Sequence, residues 1–144
     1  MELVRIPIQE LEKVWGVVEK DIKNALAYSS QLTDSDFVYD LIKEGKFQLW
    51  ILWDRKQKLT TNKYFGVVVT ELIKRKFGKV CHIYIMTGRQ RHKWQHLISK
   101  IEDFAKEEGC QMMELFPSHD PTAKLILTPL VQFSFLKLHG FFCS

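Results

Sequence analysis

Apolar residues recur at Leu11, Val14, Trp15, Val18, Ile22, Ala25 and Leu26, with Glu and Lys between them. That i, i+3, i+4 spacing gives a helix one apolar face, and predicts a long amphipathic helix over residues 9–27. Ahead of it, residues 3–6 read as a short strand stopped by Pro7, which has no backbone N–H to give. Ser29-Ser30-Gln31 breaks the helical period. Thr33, with Asp36 three residues on, predicts an N-cap for a second helix through Phe37, Leu41 and Ile42, and Gly45 closes it.

The pattern then changes character. Phe47-Gln48-Leu49-Trp50-Ile51-Leu52-Trp53 is dense in aromatic and branched residues and too short for a free-standing helix, which makes it a strand. A polar connection over 54–63 leads to a second strand around Gly66-Val67-Val68-Val69-Thr70. Phe77-Gly78 turns the chain into a third, residues 80–86, and the three together predict an antiparallel meander. A basic turn follows, Arg89-Gln90-Arg91-His92-Lys93, and after it Trp94, Leu97, Ile98, Ile101, Phe104 and Ala105 share one helical face. Gly109 is the natural C-cap, and residues 111–116 form the next strand. Residues 80–116 are thus a strand-helix-strand unit whose two strands run parallel with a right-handed crossover. Further on, residues 122–127 read as a short helix ended by Pro129, and 131–138 as a final strand in preference to a helix.

A chain of 144 residues with 46% hydrophobic content can bury a real core, and with no Pro/Gly/Ser-rich tract it reads as one domain over 1–144. The formal charge of +4 is modest, but its distribution is not. Lys74, Arg75, Lys76, Lys79, Arg89, Arg91 and Lys93 crowd into one stretch, either a solvated basic face or a seat for an anionic ligand or partner. Nucleic acid ranks last among such partners, because the aromatic residues fall on core faces and leave few for base stacking. Cys81, Cys110 and Cys143 have no metal-type spacing and cannot pair completely, so they read as reduced thiols in a cytoplasmic setting, the first two as small core residues. No stretch approaches a membrane span and no export signal is visible at Met1-Glu2-Leu3-Val4-Arg5.

Candidate chemistry is sparse. A strand feeding a helix through a basic turn can hold an anion, because the first helical N–H groups lack partners and carry partial positive charge. Ser118-His119-Asp120 names hydrolase residues, yet neighbours in one loop cannot converge as a triad does. His92 and His96 stand at i, i+4, but without a third ligand at recognisable spacing the expectation is no metal.

The order strand, two helices, three-stranded meander, basic turn, helix, strand, short helix, strand resembles that of the GCN5-related N-acetyltransferase (GNAT) family over nearly the whole chain. More closely, Phe47-Gln48-Leu49-Trp50-Ile51-Leu52-Trp53-Asp54, Lys93-Trp94-Gln95-His96-Leu97, Ile101-Glu102-Asp103-Phe104-Ala105-Lys106-Glu107-Glu108-Gly109-Cys110 and Met113-Glu114-Leu115 resemble short acetyltransferase-like proteins of tailed phages. The resemblance implies an α/β (α+β) fold with a mixed, mostly antiparallel sheet and flanking helices. It also implies an acetyl-CoA-dependent N-acetyltransferase, or a descendant that keeps the fold without the chemistry, as a virion component or a module that binds a host protein or a second copy of itself. The compartment would then be the host cytoplasm or the virion.

Family enzymes carry Arg/Gln-x-x-Gly-x-Gly/Ala between the fourth strand and the next helix. Laid on this chain, the motif begins at Arg89 and puts His92 and Trp94 where the small residues belong. Bulky side chains there narrow the approach of a pyrophosphate to backbone N–H groups. The implied cofactor-binding residues are Met86, Thr87, Gly88, Arg89, Gln90, Arg91, His92 and Lys93. The implied general base is Glu71 or His82, which otherwise read as a surface residue at a strand end and a half-buried, hydrogen-bonded histidine. Family enzymes also tend to draw a general acid from a late tyrosine, and residues 122–144 contain none.

Overall fold

The computed structural model describes residues 2–28, 34–54, 64–76, 78–88, 95–115 and 126–129. Its elements are β1 (Glu2–Arg5), a 3-10 turn (Ile8–Glu10), α1 (Leu11–Tyr28), α2 (Ser35–Lys43), β2 (Phe47–Trp53), β3 (Tyr64–Arg75), β4 (Gly78–Gly88), a second 3-10 turn (Gln95–Ile98), α3 (Ser99–Glu107), β5 (Met112–Leu115) and β6 (Ile126–Pro129). The strands form one sheet in the order β1-β2-β3-β4-β5-β6. Among the described strands only β4 and β5 run parallel, as the α3 crossover between them requires, and every other neighbouring pair is antiparallel.

Strand alternation sends successive side chains to opposite faces, so each face has its own core. Leu49, Ile51, Val67, Val69 and Ile85 meet Leu11, Trp15, Val18 and Ile22 of α1 and Val38 and Ile42 of α2. On the other face Trp50, Leu52, Val68, Cys81, Ile83 and Met86 meet Ile98, Ile101, Phe104 and Ala105 at α3. A buried polar chain on that face is closed. Trp50 Nε1 donates to Thr70 Oγ1 at 3.0 Å, and the hydroxyl donates on to Gln48 Oε1 at 2.9 Å.

Local signals end the helices where the sequence places them. At Gly45 and Gly109 the backbone has φ +80° and +81°, a left-handed conformation that costs glycine little. Around Gly109 the bonds Cys110 N–H to Ala105 O (2.9 Å) and Gly109 N–H to Lys106 O (3.0 Å) close the α3 terminus.

Five expectations change. The cap of α2 is Asp34, whose Oδ1 accepts from the Phe37 N–H at 2.9 Å; Thr33 lies outside the described residues. Phe37 faces outward, 49% exposed, and Val38 takes the core position, sharing one buried helix face with Ile42 four residues on. After the basic turn the chain winds as a 3-10 turn before α3 begins at Ser99. The meander strands are longer than their apolar runs, β3 reaching Arg75 and β4 reaching Gly88, because hairpin pairing carries polar residues along. Ile126 and Leu127 belong to a strand rather than a short helix: β6 pairs antiparallel with β5, Met112 opposite Pro129 through Leu115 opposite Ile126. Among the described strands β6 lies at the sheet edge, a position where a proline is tolerated because its missing N–H breaks no ladder bond. The expected strand over 131–138 lies outside the described residues.

Candidate active site

The β3–β4 hairpin sets the site. Its register pairs Val69 with Ile85 but Thr70 with Ile83, so Tyr84 is the extra residue of a β-bulge. Two residues before the bulge His82 stands opposite Glu71, and on its other side opposite Glu114 of β5. Glu71, His82 and Glu114 thus form one row across three strands, on the face packed by α1 and α2. Directly paired residues point to the same side of a sheet, so the register brings together two residues named from sequence and adds a third.

His82 and Glu114 are buried, 4% and 0% exposed. His82 Nδ1 lies 3.2 Å from Glu114 Oε2. Arg75, near the hairpin tip, crosses to the same carboxylate and donates twice, Nε to Oε1 at 2.9 Å and a terminal nitrogen to Oε2 at 2.8 Å. This two-pronged geometry is the strong form of an arginine–carboxylate pair. Burial pushes the His82 pKa below its ordinary 6.5, against the pull of Glu114, with Arg75 adding to the decrease. Burial raises Glu71 above its ordinary 4.5; Glu114 adds to that and Arg75 opposes it. The His82 ring also stands edge-on to Tyr84, centroids 6.1 Å apart, and Tyr84 packs on Phe47 at 5.0 Å. Glu71 is only half-buried and lines a cavity of about 320 Å³ with Leu41, Gly45, Lys46, Phe47, Gln48 and Leu72; of the row, Glu71 alone reaches that cavity.

The two surface readings of these residues change accordingly. Glu71 is interior to β3 rather than at its end, and His82 is buried rather than half-buried. Arg75, one of the sequence-adjacent cations, is committed to Glu114 and is not part of a freely solvated face. The sequence names Arg75 only within a basic cluster and Glu114 only within a strand motif, and gives neither a role beside His82. The signal was a lone acid in the short strand Met112-Met113-Glu114-Leu115: a carboxylate on a strand buried between neighbours needs a cation or donors.

Of the cofactor candidates, Met86 has its side chain in the α3-side core, Thr87 is half-buried and Gly88 is exposed at the strand end. Gly88 sits opposite Gly66, where an added Cβ would come within 2.7 Å of the Thr87 carbonyl oxygen. Arg89, Gln90, Arg91, His92 and Lys93 lie outside the described residues. The β4–β5 ladder begins with Val80 opposite Met112 and ends with Ile83 opposite Leu115, while β4 itself continues to Gly88. Beyond Ile83 no described strand pairs with that side of β4. Cys81 is fully buried with its thiol pushed up to about 12, mainly by burial, which leaves it a poor nucleophile. No cluster of metal-ligating side chains occurs, and no helix is long and apolar enough to cross a membrane, among the described residues.

No family model matches the chain, and no curated protein matches it. Solved structures do. The chain is similar to an aminoglycoside acetyltransferase, meta-AAC0020, from an uncultured soil metagenomic sample (TM-score 0.57, 14% identity, 99% of this chain and 87% of that one). It is similar to a chain of the NatC complex bound to Gag peptide and CoA (0.58, 16%, 99% and 84%). A "predicted acetyltransferase" of Clostridium acetobutylicum solved with acetyl-CoA is also similar (0.54, 11%, 97% and 88%). At these identities the likeness establishes the fold: a mixed, mostly antiparallel sheet with flanking helices, of the acyl-CoA N-acyltransferase type.

Proposed function

We propose that the chain is an acetyl-CoA-dependent N-acetyltransferase in which His82 is the general base and Glu71 the carboxylate that receives the acceptor amine. One observation carries this reading: Glu71, His82 and Glu114 form a row on β3, β4 and β5 beside the last β4–β5 pair, where the parallel ladder ends. An amine acceptor is protonated at neutral pH and must lose that proton before it can attack a thioester. His82, held neutral by burial, can take it. Glu71 stands beside it at the cavity wall, placed to attract an ammonium group from solvent.

Acyl-CoA, when bound, supplies an activated acyl group whose bond to sulfur breaks as the bond to nitrogen forms. The residues that would hold it are the main chain of Met86, Thr87 and Gly88 and the turn Arg89, Gln90, Arg91, His92 and Lys93. Arg89, Arg91 and Lys93 would offer charge to the pyrophosphate, and the stretch of β4 beyond Ile83, which no described strand pairs on that side, would offer peptide groups to the pantetheine arm. The structural neighbours solved with CoA and with acetyl-CoA support the cofactor class. His92 and Trp94, large where the family motif is small, predict weak binding.

Calorimetry of the full chain with acetyl-CoA and with CoA is expected to show binding at or below millimolar ligand. Thiol release with a panel of primary amines should then fall roughly 10²–10⁴-fold in His82→Gln, the usual contribution of a positioned base. No heat at millimolar ligand, with no transfer to any amine, removes the enzyme. The fold would then stand as a docking module, a virion component or a binder of a host protein.

A further inference from the structure

We propose that Arg75 and Glu114 are positioning residues: together they fix His82 as the Nδ1–H tautomer, so that Nε2 is the basic nitrogen of the site. This rests on the reading of His82 as the general base, but its evidence is geometric. Arg75 donates to both oxygens of Glu114, which holds that group as an acceptor-only carboxylate. A carboxylate oxygen 3.2 Å from Nδ1 can only accept, so the proton sits on Nδ1 and the lone pair on Nε2. The three residues come from β3, β4 and β5, which makes the ring orientation a property of the assembled sheet rather than of a loop.

The arrangement has a consequence for the proton transfer. When Nε2 takes a proton from an acceptor ammonium, the ring becomes an imidazolium in a buried place, and Glu114 is the counter-charge already in contact with it. The charged groups facing His82 act in opposite directions: Glu114 favours the imidazolium and Arg75 disfavours it, with burial also against it. Among the described residues Glu71 on β3 and Tyr84 on β4 are further titratable neighbours. Arg75 therefore does two things at once. It anchors the carboxylate, and it keeps the base from staying protonated after transfer.

Long-range ¹H–¹⁵N spectra of the full chain, without any cofactor, read the His82 tautomer directly. The expected wild-type signature is Nδ1–H above the His82 titration. Glu114→Gln is expected to move that titration to lower pH and Arg75→Gln to move it to higher pH. A residue that merely held the sheet together would not give shifts of opposite sign. Arg75, whose side chain is 39% exposed, keeps the test available if the buried Glu114 variant does not fold. In the transfer assay Glu114→Gln should lose up to about 10²-fold in kcat with KM for acetyl-CoA unchanged, the cost of a misaligned base. An Nε2–H signature in the wild type, or a His82 titration unmoved in both variants, overturns the proposal. The expected spectra in a protein that transfers no acyl group would uphold the positioning of His82 and sink the acetyltransferase reading instead.

Discussion

His82 carries an energetic signature that stability measurements can read. Burial makes its imidazolium costlier in the folded protein than in the unfolded chain, so the unfolded state takes up the proton first. The stability present above pH 6.5 is therefore lost as pH falls from 6.5 through the lower value His82 takes in the fold. Glu71 works in the opposite sense: its folded value is raised, so its contribution is present below pH 4.5 and fades as pH rises through that raised value. Measured in a Glu71→Gln background, the Tm should fall between pH 7 and pH 5, and should fall less when His82→Gln is added. Equal falls in the two proteins would show that burial does not depress the histidine.

At the scale of single elements, short-range chemistry decides boundaries. The Asp34 cap holds the first turn of α2 through one exposed hydrogen bond, so Asp34→Ala is expected to cost about 1 kcal/mol in urea denaturation. Gly66 is a different case, because its neighbour is backbone rather than a movable side chain. A methyl group there would meet the Thr87 carbonyl at 2.7 Å and the Gly88 Cα at 3.2 Å. Gly66→Ala should therefore push β4 outward where it leads into the basic turn, destabilising by roughly 1–3 kcal/mol. It should also weaken acetyl-CoA binding more than Asp34→Ala does, since only Gly66 touches the strand end that feeds the turn. Equal effects of the two variants on binding would detach the β3–β4 end from the proposed cofactor site.

Across the whole molecule, two cores share one sheet. Ile22 of α1 and Ile101 of α3 are both fully buried, on opposite faces of the same strands. Truncating either to alanine should cost about 2–5 kcal/mol. Because removing either helix layer strips one face of β2, β3 and β4, both variants should still melt in one transition seen alike by far-ultraviolet circular dichroism and by tryptophan fluorescence. Two separated transitions in either variant would count against a single domain.

The sequence by itself determined the elements on which this arrangement depends. The helical stripe from Leu11 to Leu26, the glycines at 45 and 109 and the β-rich runs at 47–53 and 80–86 act within a few residues of themselves. Spacing and caps therefore report them, and the strand-helix-strand order implied the parallel β4–β5 pair. Tertiary structure alone decided which polar residues meet. Glu71 and His82 were visible as sheet residues, but their partner Glu114 and its anchor Arg75 lie 32 and 39 positions from His82 and Glu114 respectively, beyond any periodic signal. Register decides such meetings, because a one-residue slip sends a side chain to the other face. Likewise the strand at Ile126–Pro129 exists because β5 offers it an edge, a long-range pairing that outweighs the local signals for a short helix. The same register takes Arg75 out of a run of surface cations and buries His82 against Glu114.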